Sequence, residues 1–210
     1  FNGFAVAAMG HSITTPALPR VASDIYAGCF LAFDELIRRG YRRIGLINTD
    51  YVNRLACFLY SGALSAYQNH VAGENYFTEW ISPHHDLQLS DMDPIVDWIR
   101  REKLDAVTSP LFGIPLYQLL LESGLKIPQE LGYLHLLDFP ESQEVTQLSQ
   151  KAEFMGTKAV DMVVAAINRN EFEQPGIPHV INTMGKWLEG TTLPQRTSAQ
   201  GHRQADKERV

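Results

Sequence analysis

No stretch of this chain stays apolar for the roughly 20 residues that a membrane-crossing helix needs. Residues 1–9 have no basic start and run into His11 and Ser12, so no signal peptide is expected there. Cysteine is scarce, with two in 210 residues. Cys29 and Cys57 both fall on expected helix faces among apolar neighbours, which reads as buried free thiols in a reducing compartment, with a disulfide or a catalytic thiol as the alternatives. Basic charge is also short: 18 Lys and Arg against 24 Asp and Glu give a net charge of −6, which argues against this chain gripping nucleic acid. Arg38, Arg39, Arg42 and Arg43 form the one tight basic cluster and read as a solvated helix end. Signatures of catalysis are missing. There is no G-x-S-x-G elbow, no phosphate-cradling glycine loop and no C-x-x-C pair. Gly10-His11-Ser12 lacks the glycines and the following helix of a phosphate loop and reads as a turn. In His84-His85-Asp86 the adjacent histidines point in different directions, and no second cluster has ligand spacing, so no metal is expected. Nothing assembles a nucleophile, a base and an orienting group. No catalytic residue, metal or cofactor is therefore assigned, and the chain reads as a non-enzyme.

What is present is an ordinary soluble composition, 45% hydrophobic and 20% charged, in a chain long enough to bury a substantial core. Its most informative stretch is residues 24–47. Tyr26, Cys29, Phe30, Phe33, Leu36 and Ile37 recur at helical spacing as one apolar stripe. Arg38 and Arg39 stand where a helix C-terminus favours cations, and Gly40 can take the left-handed conformation that ends it. Ile44 to Ile47 then suits a strand covered on both faces. The same alternation continues. Strands are expected over residues 4–9, 18–23, 42–48, 76–81, 104–109, 131–137 and 179–184. Helices are expected over 53–70, from Asp93-Pro94 onward with Ile95, Trp98 and Ile99 inward, over 114–123, and over 154–167. Repeated β-α-β units with short joins predict parallel sheets between helices. Residues 196–210 are polar and aperiodic and are expected to be disordered.

Three motifs carry a resemblance. The first is residues 24–47 themselves, with Gly40-Tyr41-Arg42-Arg43-Ile44-Gly45. The second is Asp105-Ala106-Val107, followed by Leu119 to Gly124 and Ile127-Pro128-Gln129-Glu130-Leu131-Gly132. The third is Val145-Thr146-Gln147-Leu148-Ser149-Gln150 with Met155-Gly156 and Ala159-Val160-Asp161-Met162-Val163. In order and spacing they resemble the effector-binding core of LacI-type (LacI/GalR family) transcription regulators. The resemblance implies an α/β, type I periplasmic-binding-protein-like fold of two Rossmann-like subdomains. The first of these is represented only by its last strands and crossover helix (1–40). Residues 41–138 would form the C-terminal subdomain, 139–193 the hinge return, helix and final strand, and 194–210 a disordered tail.

The same resemblance implies a cytoplasmic, homodimeric probable repressor. A sugar or related metabolite between the subdomains would bias its DNA binding, and operator DNA would be reached only through an N-terminal helix-turn-helix that this sequence lacks. No membrane partner is expected. The helix over 114–123, with Leu116, Leu119 and Leu120, is a candidate dimer surface, with core packing as its other reading. Ligands of open α/β sheets lie beyond the carboxyl ends of strands. That rule and the family pattern together select Asp24, Asp50, Tyr51, Arg54, Trp80, Asp138 and Gln150 as effector contacts. Capping is the other reading of Asp24 and Asp138, core packing of Trp80 and solvent exposure of Arg54. Three family positions depart: Leu59 stands where an Arg is usual, Ser109-Pro110 replaces an Asn-Asp pair, and Leu137 replaces the first of two Asp. These losses put sugar specificity in question. An exported solute-binding protein of the same fold, or a Rossmann-like enzyme, is the alternative reading.

Overall fold

The computed structural model describes residues 3–85, 87, 89–111, 115–138, 142–172 and 176–196. Along the chain come β1 (Ala8–Met9), β2 (Arg20–Ser23), α1 (Ile25–Arg38), β3 (Arg43–Thr49), α2 (Asp50–Leu55), α3 (Leu59–His70) and β4 (Tyr76–Ser82). After a short 3-10 turn at Leu89–Asp91 follow α4 (Met92–Arg101), β5 (Ala106–Ser109), α5 (Pro115–Glu122) and β6 (Gly132–His135). The described chain continues with β7 (Thr146–Ser149), α6 (Ala152–Asn168), β8 (Val180–Thr183) and β9 (Lys186–Leu188).

These strands build two sheets. The smaller has the order β1-β2-β8, all parallel, with Arg20 opposite Val180 and Ser23 opposite Thr183. The larger has the order β4-β3-β5-β6-β7-β9, parallel except where β9 runs antiparallel to β7. Helices cover both faces of the larger sheet, as near-continuous apolar strands require. Ile44 and Leu46 of β3 point to the core under α1 and α3, and Ile47 points to the core under α4 and α5. Phe33, Tyr67 and Phe77 meet edge to face at 5.0–5.2 Å in the first core, each pair adding about 1 kcal/mol beyond burial. Gly45 has no room for a side chain, since an added Cβ would stand 2.6 Å from Trp98 of α4.

The polypeptide passes between the sheets three times, at residues 23–25, 149–152 and 183–186. The lobe around the small sheet packs Val21 against Met155 and Ala159 of α6. Helix α1, grouped by the sequence with residues 1–40, packs on α3 and the larger sheet instead. Its ends form as read from the sequence. The Asp24 carboxylate accepts the Ala27 N–H at 2.9 Å, and Gly40 takes φ +92° while Gly40 N–H reaches Ile37 O and Tyr41 N–H reaches Leu36 O. The buried stripe is rotated relative to the expected one: Ile25, Cys29, Ala32, Phe33 and Leu36 are inside, and Tyr26 is exposed.

Other expectations need correction. The single helix over 53–70 is two helices, broken where Cys57 and Phe58 take positive φ. Cys57 is exposed at that break, whereas Cys29 is buried and its thiol is pushed up by burial. Helix α4 starts at Met92, before the expected Asp93-Pro94, and Asp91 at its N-cap position makes no side-chain capping bond. The arginine cluster is only partly solvated. Arg39 is buried among Glu35, Glu189 and the Leu193 carbonyl, and Arg43 lies over the Tyr76 ring and donates to Glu102 O. Leu116 and Leu120 sit in the core rather than on a dimer surface. Strands β7 and β9 had no counterpart in the sequence reading, while β1 is shorter than the strand expected over 4–9. Residue 114, Asp86 and residues 197–210 lie outside the described residues.

Candidate functional site between the lobes

The carboxyl ends of both sheets converge on one cleft of about 250 Å³. From the small lobe, β1 leads into Gly10, His11 and Ser12, β2 ends in Ser23, and Met155 comes from α6. From the large lobe, β3 leads into Val52 and Leu55 of α2 and Ala56 at its end, then Tyr60 of α3. Pro110 follows β5, Leu137 follows β6 and Gln150 follows β7. This is the position at which doubly wound sheets bind small ligands. A larger hollow of about 820 Å³ lies at the opposite, amino ends of the small sheet, between Pro19, His179 and the last turns of α6. None of the expected site residues reaches it.

One side chain ties the lobes across the cleft floor. Gln150 Oε1 accepts the Ser23 hydroxyl at 2.9 Å, and Gln150 Nε2 donates to Tyr60 Oη at 3.2 Å and to Leu136 O at 3.4 Å. The Gln150 backbone is itself held, its N–H donating to Asp138 Oδ2 at 3.0 Å, and the Ser149 hydroxyl donates to the other Asp138 oxygen. Burial pushes the Tyr60 phenol well up, so it is a neutral hydroxyl at any ordinary pH. On the small-lobe side His11 Nε2 lies 2.9 Å from Ser23 O, and the Cys57 thiol approaches His11 O at 3.6 Å.

The expected contacts divide. Gln150 lines the cleft. Asp24 caps α1 and borders the narrow crevice beneath it, beside Tyr60 and Gln150. Asp138 faces the outer side of the β7–α6 crossing with Lys151 and Glu153 and acts as a clamp on Gln150. Asp50, Tyr51 and Arg54 stand on the solvent face of α2, opposite Val52, Leu55 and Ala56. Arg54 pairs with Asp50 at 2.7 Å, and Tyr51 lies against His85 with ring centroids 3.6 Å apart. Trp80 packs 5.8 Å from Trp98 in the second core, with its indole N–H unpartnered among the described residues. The structure therefore turns four of the seven away from the cleft by geometry and makes Asp138 a support. Two residues that the sequence reading passed over, Ser23 and Tyr60, complete the site. The spacing Tyr60, Ala63, Leu64, Tyr67 carries the signal for Tyr60, but one unbroken helix over 53–70 hides it, because the break at Cys57-Phe58 resets the register of α3.

Residues 33–184 match the family described as the periplasmic binding protein-like domain. The chain belongs to that family. Among curated proteins, this periplasmic-binding-protein-like domain is 27% identical over 179 residues to an arabinose metabolism transcriptional repressor of Geobacillus stearothermophilus, covering 75% of this chain and 46% of that protein. It thus spans about half the length of the curated relative it matches. Its backbone superposes on a LacI transcriptional regulator from a Rhodococcus species with a TM-score of 0.68 at 21% identity, covering 91% of this chain and 70% of that one. A LacI family regulator from Enterococcus faecium with bound ribose gives 0.66 at 15% identity, covering 91% and 71%. At these identities the structural likeness establishes the fold. Among the described residues of the domain, no group of three His, Cys, Asp or Glu could hold a metal ion, and no helix is long and apolar enough to cross a membrane.

Proposed function

We propose that this domain senses a small-molecule effector for a LacI-type transcription regulator, most simply a repressor. The effector occupies the cleft between the lobes and changes their relative set. Paired subunits then carry that change to a helix-turn-helix on polypeptide outside this chain, which alone meets operator DNA. The protein works in the cytoplasm as a homodimer and catalyses nothing. The observation that carries this reading is the cleft itself: the carboxyl ends of two sheets converge on it, three chain crossings join the lobes among the described residues, and the Gln150 side chain bridges them across the cleft floor. A ligand can shift such an equilibrium only by its differential affinity for the two sets, so it must touch both lobes. Ser23 and Met155 on one side and Tyr60, Leu137 and Gln150 on the other meet that condition. The repressor relative and the ribose-bound neighbour support a regulator that takes a small neutral metabolite.

Thermal unfolding of the purified chain against a panel of pentoses, hexoses and small uncharged ring compounds tests this. A binder at 100 times its Kd raises stability by about 2.7 kcal/mol. Arg54→Ala, on the solvent face of α2, leaves that shift intact, whereas Tyr60→Ala removes it. A panel without any shift, or a shift insensitive to Tyr60→Ala, counts against the cleft as the effector site.

A further inference from the structure

The polarity of the cleft says what kind of molecule it takes. We infer that it admits a compact, uncharged ligand with a largely apolar body and one carbonyl-type acceptor, and that it discriminates against polyhydroxylated sugars and their phosphates. This rests on the effector reading above and narrows it.

Among the described residues that line the cleft there is no Asp, Glu, Lys or Arg. Its walls are apolar: Met155 toward the small lobe, and Ile25, Val52, Leu55, Pro110 and Leu137 toward the large one. A sugar entering here would give up water at most of its hydroxyls and find few partners in return, and a phosphate or carboxylate would meet no cation.

The deeper-set polar groups are already engaged with one another, the second His11 ring nitrogen apart. Gln150 uses its carbonyl oxygen on Ser23 and its amide hydrogens on Tyr60 and Leu136 O. Ser23 spends its proton on Gln150, and the His11 ring nitrogen faces the Ser23 carbonyl. Ser12 stands at the exposed rim. Tyr60 is the exception. Its oxygen accepts from Gln150, and no hydrogen bond among the described residues uses its proton. Burial keeps that proton on the phenol, so the cleft offers one buried, neutral donor fixed in place by its neighbours. The Asp24 carboxylate lies in the crevice below and holds the Ala27 N–H. The volume, about 250 Å³, equals the space of about eight water molecules and, in this set of the lobes, suits one ring with short substituents.

Matched six-membered rings separate the possibilities, with binding read from chemical-shift changes in the isotope-labelled chain. Cyclohexanone carries one acceptor, benzene none, myo-inositol six hydroxyls and cyclohexanecarboxylate a charge, and D-ribose and L-arabinose serve as sugars. Cyclohexanone is expected to bind at least tenfold more tightly than myo-inositol, either pentose or the carboxylate, shifting resonances of Tyr60, Leu137 and Met155. Tyr60→Phe is expected to weaken cyclohexanone three- to tenfold and to leave benzene unchanged. Leu137→Asp is expected to weaken both. Ribose or arabinose binding in the cleft more tightly than cyclohexanone would overturn the ligand class and leave the effector site standing. Cleft resonances unmoved by every probe would overturn the site as well. Equal loss of benzene and cyclohexanone affinity in Tyr60→Phe would overturn the donor role.

Discussion

His135, on β6, shows how one residue ties this fold to pH. It is 1% exposed, its Nδ1 lies 3.3 Å from the Tyr133 hydroxyl, and burial lowers its pKa to about 4, with the Asp138 charge pulling weakly the other way. In the unfolded chain the same ring takes a proton near pH 6.5. Between those values the unfolded state holds the extra proton, so stability rises with pH across the interval. The contribution is complete above pH 6.5 and is lost as pH falls toward 4, amounting to at most about 3 kcal/mol. Urea titrations at pH 7, 5.5 and 4.5 should show that decline, and His135→Phe should flatten it; an equal slope in the variant would assign the loss to other groups. Single residues also mark where sequence reasoning stopped short. Gly40 was legible because only a left-handed residue ends the helix there. The break at Cys57-Phe58 was not, since neither residue type favours positive φ and the conformation is imposed by surroundings such as the Phe58 N–H bond to Asn53 O. Asp50, Tyr51 and Arg54 point outward for a separate reason, since α2 starts at Asp50 behind the Thr49 cap and buries Val52 and Asn53.

At the scale of elements, α1 is fastened to the far end of the chain by one guanidinium. Arg39 donates to Glu35 at 2.7 Å, to both Glu189 oxygens at 2.7 Å and to Leu193 O at 2.6 Å, and stacks over Trp187 at 5.0 Å. Its carboxylate partners are held below the usual range, Glu189 first by its bond to Arg39 and Glu35 first by its bond to Arg38. Arg39→Ala takes the donor from the Leu193 carbonyl and the guanidinium from Glu35 and Glu189, which keep Arg38 and the Trp187 indole N–H, and should cost about 2–3 kcal/mol, reduced from a fully buried pair because Glu189 is largely exposed. Arg39→Lys keeps the charge but not the fork and should recover less than half of that. Equilibrium denaturation decides, and a lysine variant as stable as the parent would refute the fork. This contact explains a miss as well. Helices such as α4 and α6 and the long strands β3 and β4 were readable from periodicity, whereas β7 and β9 are four and three residues long and are ordered by partners such as Arg39 and Thr192 rather than by their own pattern.

For the whole molecule, the two-lobe plan was legible because three motifs kept their order. The composition of the cleft was not, because it depends on which faces of α2 and α3 turn inward. Opening and closing must work against the Ser23–Gln150–Tyr60 link. Ser23→Ala and Gln150→Ala should each cost about 1 kcal/mol, with the double variant losing less than the sum because both break one bond. Gln150→Ala should also broaden the distance distribution between labels placed on the two lobes; an unchanged distribution would show that the link does not restrain the hinge. The three crossings have a further consequence, felt during synthesis. Strand β2 at residues 20–23 aligns with β8 at 180–183, and the larger sheet closes only with β9 at 186–188. Neither lobe is contiguous in sequence, so a nascent chain holds both unfinished until nearly all of its described length has left the ribosome, and folding awaits pairings some 160 residues apart.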